Sequence, residues 1–184
     1  MMNLLSYLII IAYLTLVIEL IFFPVKSQGS TYRLIREGKG KPLERILAVL
    51  SNIFVIGIII YPLVNLYFNW HLLSTSYWMI SFGIILVGIG RWLSFGAMVQ
   101  LRRNSKILHQ DKFFKLTRNP NIDGTITFLI GMWFLVPSTI YFFTSILVFI
   151  YLKNRAKMEE KYLIEIFGKK YLDYKNKTPS SIYI

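Results

Sequence analysis

The strongest constraint in this chain is a long apolar block, Thr125 to Leu152, broken at Val136-Pro137-Ser138 and flanked by polar motifs. Arg118-Asn119-Pro120-Asn121-Ile122-Asp123-Gly124 stands before it. Met158-Glu159-Glu160-Lys161-Tyr162-Leu163 and Phe167-Gly168-Lys169-Lys170-Tyr171 stand after it. One membrane-spanning helix takes about 20 apolar residues. The block is too long for one comfortable span and too short for two full ones. Proline lacks a backbone donor and clashes with the preceding turn, so a helix breaks there. The pattern predicts a helical hairpin turning at Pro137. A hairpin returns the chain to the side it left, so both polar motifs face one aqueous compartment and can close on one ligand. A straight span would separate them.

Three earlier stretches, 4–23, 46–68 and 77–101, are also apolar and long enough to span. With the hairpin segments 125–136 and 138–152 they predict an all-α polytopic membrane protein. It forms a single domain over 1–184 with five transmembrane segments and a cytoplasmic amphipathic C-terminal helix. The first stretch lacks a basic leader and an Ala-x-Ala cleavage pattern, so it reads as a retained membrane segment. Apolar residues make up 55% of the chain, and no polar stretch is long enough for a soluble domain. Cysteine is absent, which excludes disulfides, thiolate catalysis and cysteine-ligated metal. His71 and His109 are isolated, and no metal site is expected.

The net charge of +12 is unevenly placed. Lys26, Arg33, Arg36, Lys39, Lys41 and Arg45 fill the first loop, and Arg102, Arg103, Lys106, Lys112, Lys115 and Arg118 fill the third. The second loop, Asn69 to Ser76, has no Lys or Arg, and the tail from Lys153 is lysine-rich. The positive-inside rule then puts the N-terminus outside and the C-terminus in the cytoplasm. Orientation and anionic lipid headgroups account for the basic excess, so nucleic acid is not an expected partner. Gly83, Gly88, Gly90 and Gly96 in the third segment permit close helix approach.

Arg91 and Glu19 sit inside predicted spans, roughly 10–16 Å from the cytoplasmic edge at about 1.5 Å per residue. Intramembrane charges are costly and mark functional candidates. Arg91 is a candidate catalytic residue and Glu19 a candidate substrate contact. They also stand as candidates to pair with each other.

The C-terminal half resembles the membrane methyltransferases typified by isoprenylcysteine carboxyl methyltransferase and phosphatidylethanolamine N-methyltransferase. Their pattern is Arg-His-Pro-x-Tyr-x-Gly, a short hydrophobic hairpin, Glu-Glu-x-x-Leu, and Phe-Gly-x-x-Tyr-x-x-Tyr. Here it reads Arg118 to Gly124, then Glu159-Glu160-Lys161-Tyr162-Leu163, then Phe167-Gly168 with Tyr171 and Tyr174. Gly88-Ile89-Gly90 resembles the Gly-x-Gly of the phospholipid branch. Asn119 stands in place of the family histidine and Ile122 in place of its tyrosine. Ser180 stands where an arginine often follows the final Val-Pro.

The resemblance implies methyl transfer from S-adenosylmethionine to a lipophilic acceptor in the bilayer, through a carboxylate, amine or thiol. It implies a cytoplasmic cofactor site built from 102–124 and 153–184. Gly88, Gly90, Asn119, Pro120, Gly124, Glu159 and Glu160 are the expected cofactor contacts. Tyr171 and Tyr174 are expected near the substrate. Arg118 is expected to hold the cofactor carboxylate or an acidic headgroup, through charge-assisted hydrogen bonds. A membrane reductase of the steroid and sterol type using NADPH shares Arg-x-Pro-Asn before a glycine and is the first alternative. A non-enzymatic membrane subunit is the second.

Overall fold

The computed structural model describes residues 7, 9–15, 18, 42–68, 76–103 and 108–183. These are helical throughout, apart from short connections. Helix α1 includes residues 9–15. It is followed by α2 (Pro42–Phe68), α3 (Tyr77–Arg103), α4 (Phe113–Leu116), α5 (Pro120–Leu135), α6 (Thr139–Phe167) and α7 (Lys169–Lys177).

The spine of the fold is the antiparallel pair α3 and α5, brought together by two glycine pairs. Gly90 faces Gly124, and Gly83 faces Gly131. In each helix the two glycines are seven residues apart, close to two full turns, so both lie on one face. A methyl group added to Gly90 would lie 2.5 Å from the Phe128 amide nitrogen and 2.7 Å from the Gly124 carbonyl. Added to Gly131, it would lie 2.7 Å from the Val87 nitrogen. The bare backbones therefore touch, and packing supplies the attraction that a hydrophobic effect cannot supply between apolar helices. Phe113 of α4 presses on Gly96 in the same way and meets Trp92 edge-on at 4.9 Å.

The predicted break at Pro137 is present. Val136 N bonds to Met132 O at 2.9 Å to close α5, and Phe142 N bonds to Ser138 O at 3.0 Å to open α6. Ser138 is fully buried, and Tyr61 of α2 pins the turn through a 3.0 Å hydroxyl pair. Tyr61 also stacks on Tyr141 at 5.9 Å. Helix α6 runs unbroken through the expected amphipathic stretch and stops at Gly168, whose φ of 52° lies in the left-handed region that glycine tolerates.

Five membrane crossings are not what these helices establish. Among the described residues, one helix, Tyr77–Leu101, is long and apolar enough to cross, and α2 contributes the shorter apolar stretch Ile56–Asn65. Helix α5 has 16 residues. At about 1.5 Å per residue it falls short of a hydrocarbon core about 30 Å thick. Helix α6 is apolar only as far as Leu152. Its Phe142, Phe143, Ile146, Leu147 and Ile150 are exposed, like Ile84, Ile85, Ile89 and Trp92 of α3. Apolar surface this broad is characteristic of a lipid or protein contact face.

Candidate active site

Arg118 lies two residues before Pro120, which opens α5 at a position where proline's missing donor costs nothing. The chain then climbs α5, turns at Pro137 and returns along α6. Arg118 and Glu160 meet there, with Nη2 at 3.2 Å from Oε1. Residues from the two flanks of the apolar block thus form one ion pair. Glu160 Oε2 also takes Lys175 Nζ of α7 at 3.4 Å. Around this pair is a cavity of about 250 Å³. Helix α6 lines it with Lys153, Ala156, Lys157 and Glu160, an i, i+3, i+4, i+7 set that shares one face. Asn119, Ile122, Asp123, Ser180 and Ser181 complete the wall.

The cavity is electropositive. The Arg118 side chain is only 8% exposed, yet its Nε and Nη1 have no hydrogen-bond partner. Lys153 Nζ is buried without a hydrogen bond too, and its partner is the Phe149 ring, 5.5 Å away. Burial pushes the Lys153 ammonium below the ordinary lysine value; Asp123 opposes that shift and Lys157 reinforces it. Burial raises the Tyr171 hydroxyl above the usual tyrosine range, with Glu160 adding to the shift.

The end of the chain straps the motif loop. Arg118 N donates to Pro179 O at 2.9 Å, and the Asn119 side-chain amide donates to Ser180 O at 2.9 Å. Thr117 Oγ1 donates to the same carbonyl at 3.2 Å. The Asp123 carboxylate is fully buried and accepts from Ser181 Oγ at 2.5 Å and from Ile182 N at 3.1 Å. Tyr183 and Thr127 share a further hydroxyl contact.

Of the residues singled out in the sequence, Arg118, Asn119 and Glu160 converge on the cavity. Pro120 is buried at the start of α5. Glu159, one position round the helix, instead pairs with Arg155 at 3.1 Å, on a partly exposed face. Gly90 and Gly124 are filled by each other's helix, which leaves no room for a ligand between them. Gly88 faces open space, outside the cavity wall. Tyr171 and Tyr174 are buried against each other, and the Tyr174 hydroxyl donates to Phe114 O at 2.5 Å. That bond docks α7 on α4. Arg91 is not among the residues that line the cavity: it donates to Thr15 through Nε at 3.1 Å and Nη2 at 3.2 Å, and lies 6.0 Å from the Phe128 ring centre. Glu19 lies outside the described residues.

Several site residues carry little or no signal in the sequence, Lys175 among them. Lys153 reads there as the first base of a lysine-rich tail, although it stands two turns before Glu160 and so shares its face. Asp123 reads as a variable position inside the motif. Ser181 carries no sequence signal.

No family model matches the chain, and no solved structure matches it. Two curated proteins do. Protein-S-isoprenylcysteine O-methyltransferase B of Arabidopsis thaliana is 23% identical over 122 residues, covering 60% of this chain and 62% of that protein. Protein-S-isoprenylcysteine O-methyltransferase of Saccharomyces cerevisiae is 31% identical over 90 residues, covering 46% of this chain and 36% of that protein. The chain thus spans less than two thirds of the length of either relative. The motif order and both relatives point the same way, and the family this chain resembles is that of the isoprenylcysteine carboxyl methyltransferases.

Proposed function

We propose that this protein transfers a methyl group from S-adenosylmethionine to a lipophilic acceptor that reaches the site from the bilayer. The observation that carries this reading is Arg118. Its guanidinium is buried, paired with Glu160 across the hairpin, and keeps two donors without a hydrogen bond at the edge of a cavity that the residue lines. That donor set suits a carboxylate, and a cavity of about 250 Å³ takes an amino-acid-sized group. When bound, the cofactor supplies an electrophilic methyl on its sulfonium. Arg118 binds an acid group, and Asn119, held by Ser180, fixes the motif loop. Tyr171 and Tyr174 set the position of α7 and hence of Lys175. An in-line displacement needs alignment and the exclusion of water by the bound ligands more than it needs acid–base help. The lysine-rich loops suggest that the site faces the cytoplasm.

The test is ligand protection. The full chain in lipid nanodiscs is heated with S-adenosylhomocysteine or with NADPH. Protection by S-adenosylhomocysteine alone is the expected result. Protection by NADPH alone would turn the reading to a reductase, and protection by neither would leave a non-enzymatic membrane protein.

A further inference from the structure

The short helix α4 lies where α3 leaves its apolar span. That span ends at Leu101, yet the Phe113 ring reaches back to Gly96 and meets the Trp92 ring at 4.9 Å. Gly96 stands roughly 7 Å inside the end of the span, at about 1.5 Å per residue. Gln100, in the last turn of the span, donates to Asp111 O at 3.1 Å and to Asp111 Oδ1 at 2.5 Å. Lys112, next along, takes φ 49°, a region that a lysine enters only at a cost. The turn and the Gln100 bonds together fold α4 back against the end of the span. Phe113 is flanked by Lys112 and Lys115, and Leu116 and Trp92 are exposed nearby. Such a mixture suits a membrane–water boundary, where rings sit at headgroup level and ammonium groups reach out to the phosphates.

Helix α7 docks on this short helix through the Tyr174 hydroxyl, which donates to Phe114 O at 2.5 Å. Lys170, Tyr174 and Lys177 are spaced i, i+4, i+7 and so share one stripe of α7. The α4–α7 seam is therefore flanked by Lys112 and Lys115 on one side and by Lys170 and Lys177 on the other, all exposed. None of the four makes an ion pair among the described residues. Of the nearby acids, Asp111 is held by Gln100, and Asp173 is the one acid of α7. We propose that this seam is a docking ledge for the headgroups of acidic phospholipids in the adjoining leaflet. Its charge complements a negative bilayer surface, and each basic residue near such a surface strengthens association about fivefold. The ledge also leads to the cavity, because Lys175 of α7 contacts Glu160, which holds Arg118. Leaflet charge thereby steadies the helix packed beside the site. The proposal rests on the bilayer part of the reading above and not on the methyl donor.

The full chain is first floated with phosphatidylcholine vesicles to establish that it is embedded. Spin-labelled phosphatidylglycerol and spin-labelled phosphatidylcholine are then the probes, and electron spin resonance measures the motionally restricted fraction of each. Wild type is expected to prefer the acidic probe several-fold, and about 1 M salt should erase most of that preference by screening. The combined variant Lys112→Gln, Lys115→Gln, Lys170→Gln, Lys177→Gln should lose most of it, with an unchanged melting temperature in phosphatidylcholine. The same four positions changed to arginine should keep it. Lys161→Gln with Lys169→Gln removes exposed lysines away from the seam and should change little. Adding phosphatidylglycerol to the vesicles should slow hydrogen exchange of α4 and α7 in wild type and not in the glutamine variant. A preference kept in full by the glutamine variant, or lost equally in the Lys161, Lys169 control, overturns the ledge. A chain that does not float overturns the bilayer reading and the ledge with it. A chain that floats and restricts both probes equally overturns the ledge alone.

Discussion

Ser181 Oγ donates to Asp123 Oδ1 at 2.5 Å, so the end of the chain closes on the first turn of the α5–α6 hairpin. Asp123 is fully buried beneath this strap. Ser181→Ala leaves the carboxylate with Ile182 N alone among these tail donors. Losing a hydrogen bond to a buried charged group costs about 1.5–3 kcal/mol. The expected outcome is a lower melting temperature for Ser181→Ala and weaker ligand binding, because Asn119 is held by the neighbouring Ser180. Asp123→Asn in the same background should recover part of the loss, since a neutral amide needs less compensation. An unshifted melting temperature in Ser181→Ala would show that the strap does not support the motif loop.

Glu160 and Glu159 are adjacent in sequence and differ in what they hold. Glu160 joins Arg118, both side chains being at most a tenth exposed. Breaking such a buried pair from one side costs about 3–5 kcal/mol. Glu160→Gln is expected to destabilise the protein heavily and to weaken ligand binding. The Lys175 contact adds little, because that side chain is largely solvated. Glu159→Gln breaks only a partly exposed i, i+4 pair with Arg155, worth about 0.3–0.5 kcal/mol. Comparable losses in the two variants would contradict this division.

The glycines give a matched pair. Gly90→Ala drives a methyl group into the α5 backbone, so α3 and α5 must separate. Gly88→Ala meets nothing within 4 Å. In a helix interior alanine is favoured over glycine by roughly 0.8–1 kcal/mol. Circular dichroism melts should show Gly90→Ala strongly destabilised and Gly88→Ala neutral or improved. Loss of ligand affinity in Gly88→Ala with unchanged stability would restore that glycine as a cofactor contact.

Much of this architecture was legible in the chain, for physical reasons that also mark the limits. Pro137 dictates a break whatever surrounds it, so the hairpin follows from local chemistry. That Arg118 and Glu160 meet follows from the hairpin. The glycines were legible as small residues but not as partners: whether bare backbone receives a helix or a ligand depends on α5, which only the fold supplies. Charge periodicity could not separate Glu159 from Glu160, since one step of about 100° decides which enters the cavity. Lys153 looked like an orientation signal because charge at a membrane edge normally is one. The strap depends on a contact between Ser181 and Asp123 far apart in sequence, and serine announces no partner.

Arg91 tests how α1 is fastened. Its two bonds to Thr15 tie α3 to α1 on an exposed face. Arg91→Leu is expected to lower the melting temperature and to increase proteolysis of the N-terminal part. The affinity for S-adenosylhomocysteine should change little, because Arg91 is not part of the cavity wall. A collapse of affinity at constant stability would return Arg91 to the site.

Lys153 makes a pH prediction whose sign follows from its burial. Its pKa in the folded protein lies below the ordinary 10.5, chiefly because burial disfavours the ammonium. Below the lowered value both folded and unfolded chains carry the proton, and the folded state bears the cost of the partly buried charge. Between the lowered value and 10.5 the folded chain has released the proton and the unfolded chain still holds it, so stability rises with pH across that window. Lys153→Met has no such group. At neutral pH the ligand-free variant should be more stable than wild type, and the gap should close as pH approaches 10.5. Asp123 opposes the shift, so adding Asp123→Asn to both proteins should widen the neutral-pH gap between them. A bound carboxylate acts in the opposite sense and should narrow the gap or reverse it. Thermal melts of the four proteins across this range, with and without S-adenosylhomocysteine, decide the matter. A gap that does not change with pH would mean that Lys153 is not buried as a charge.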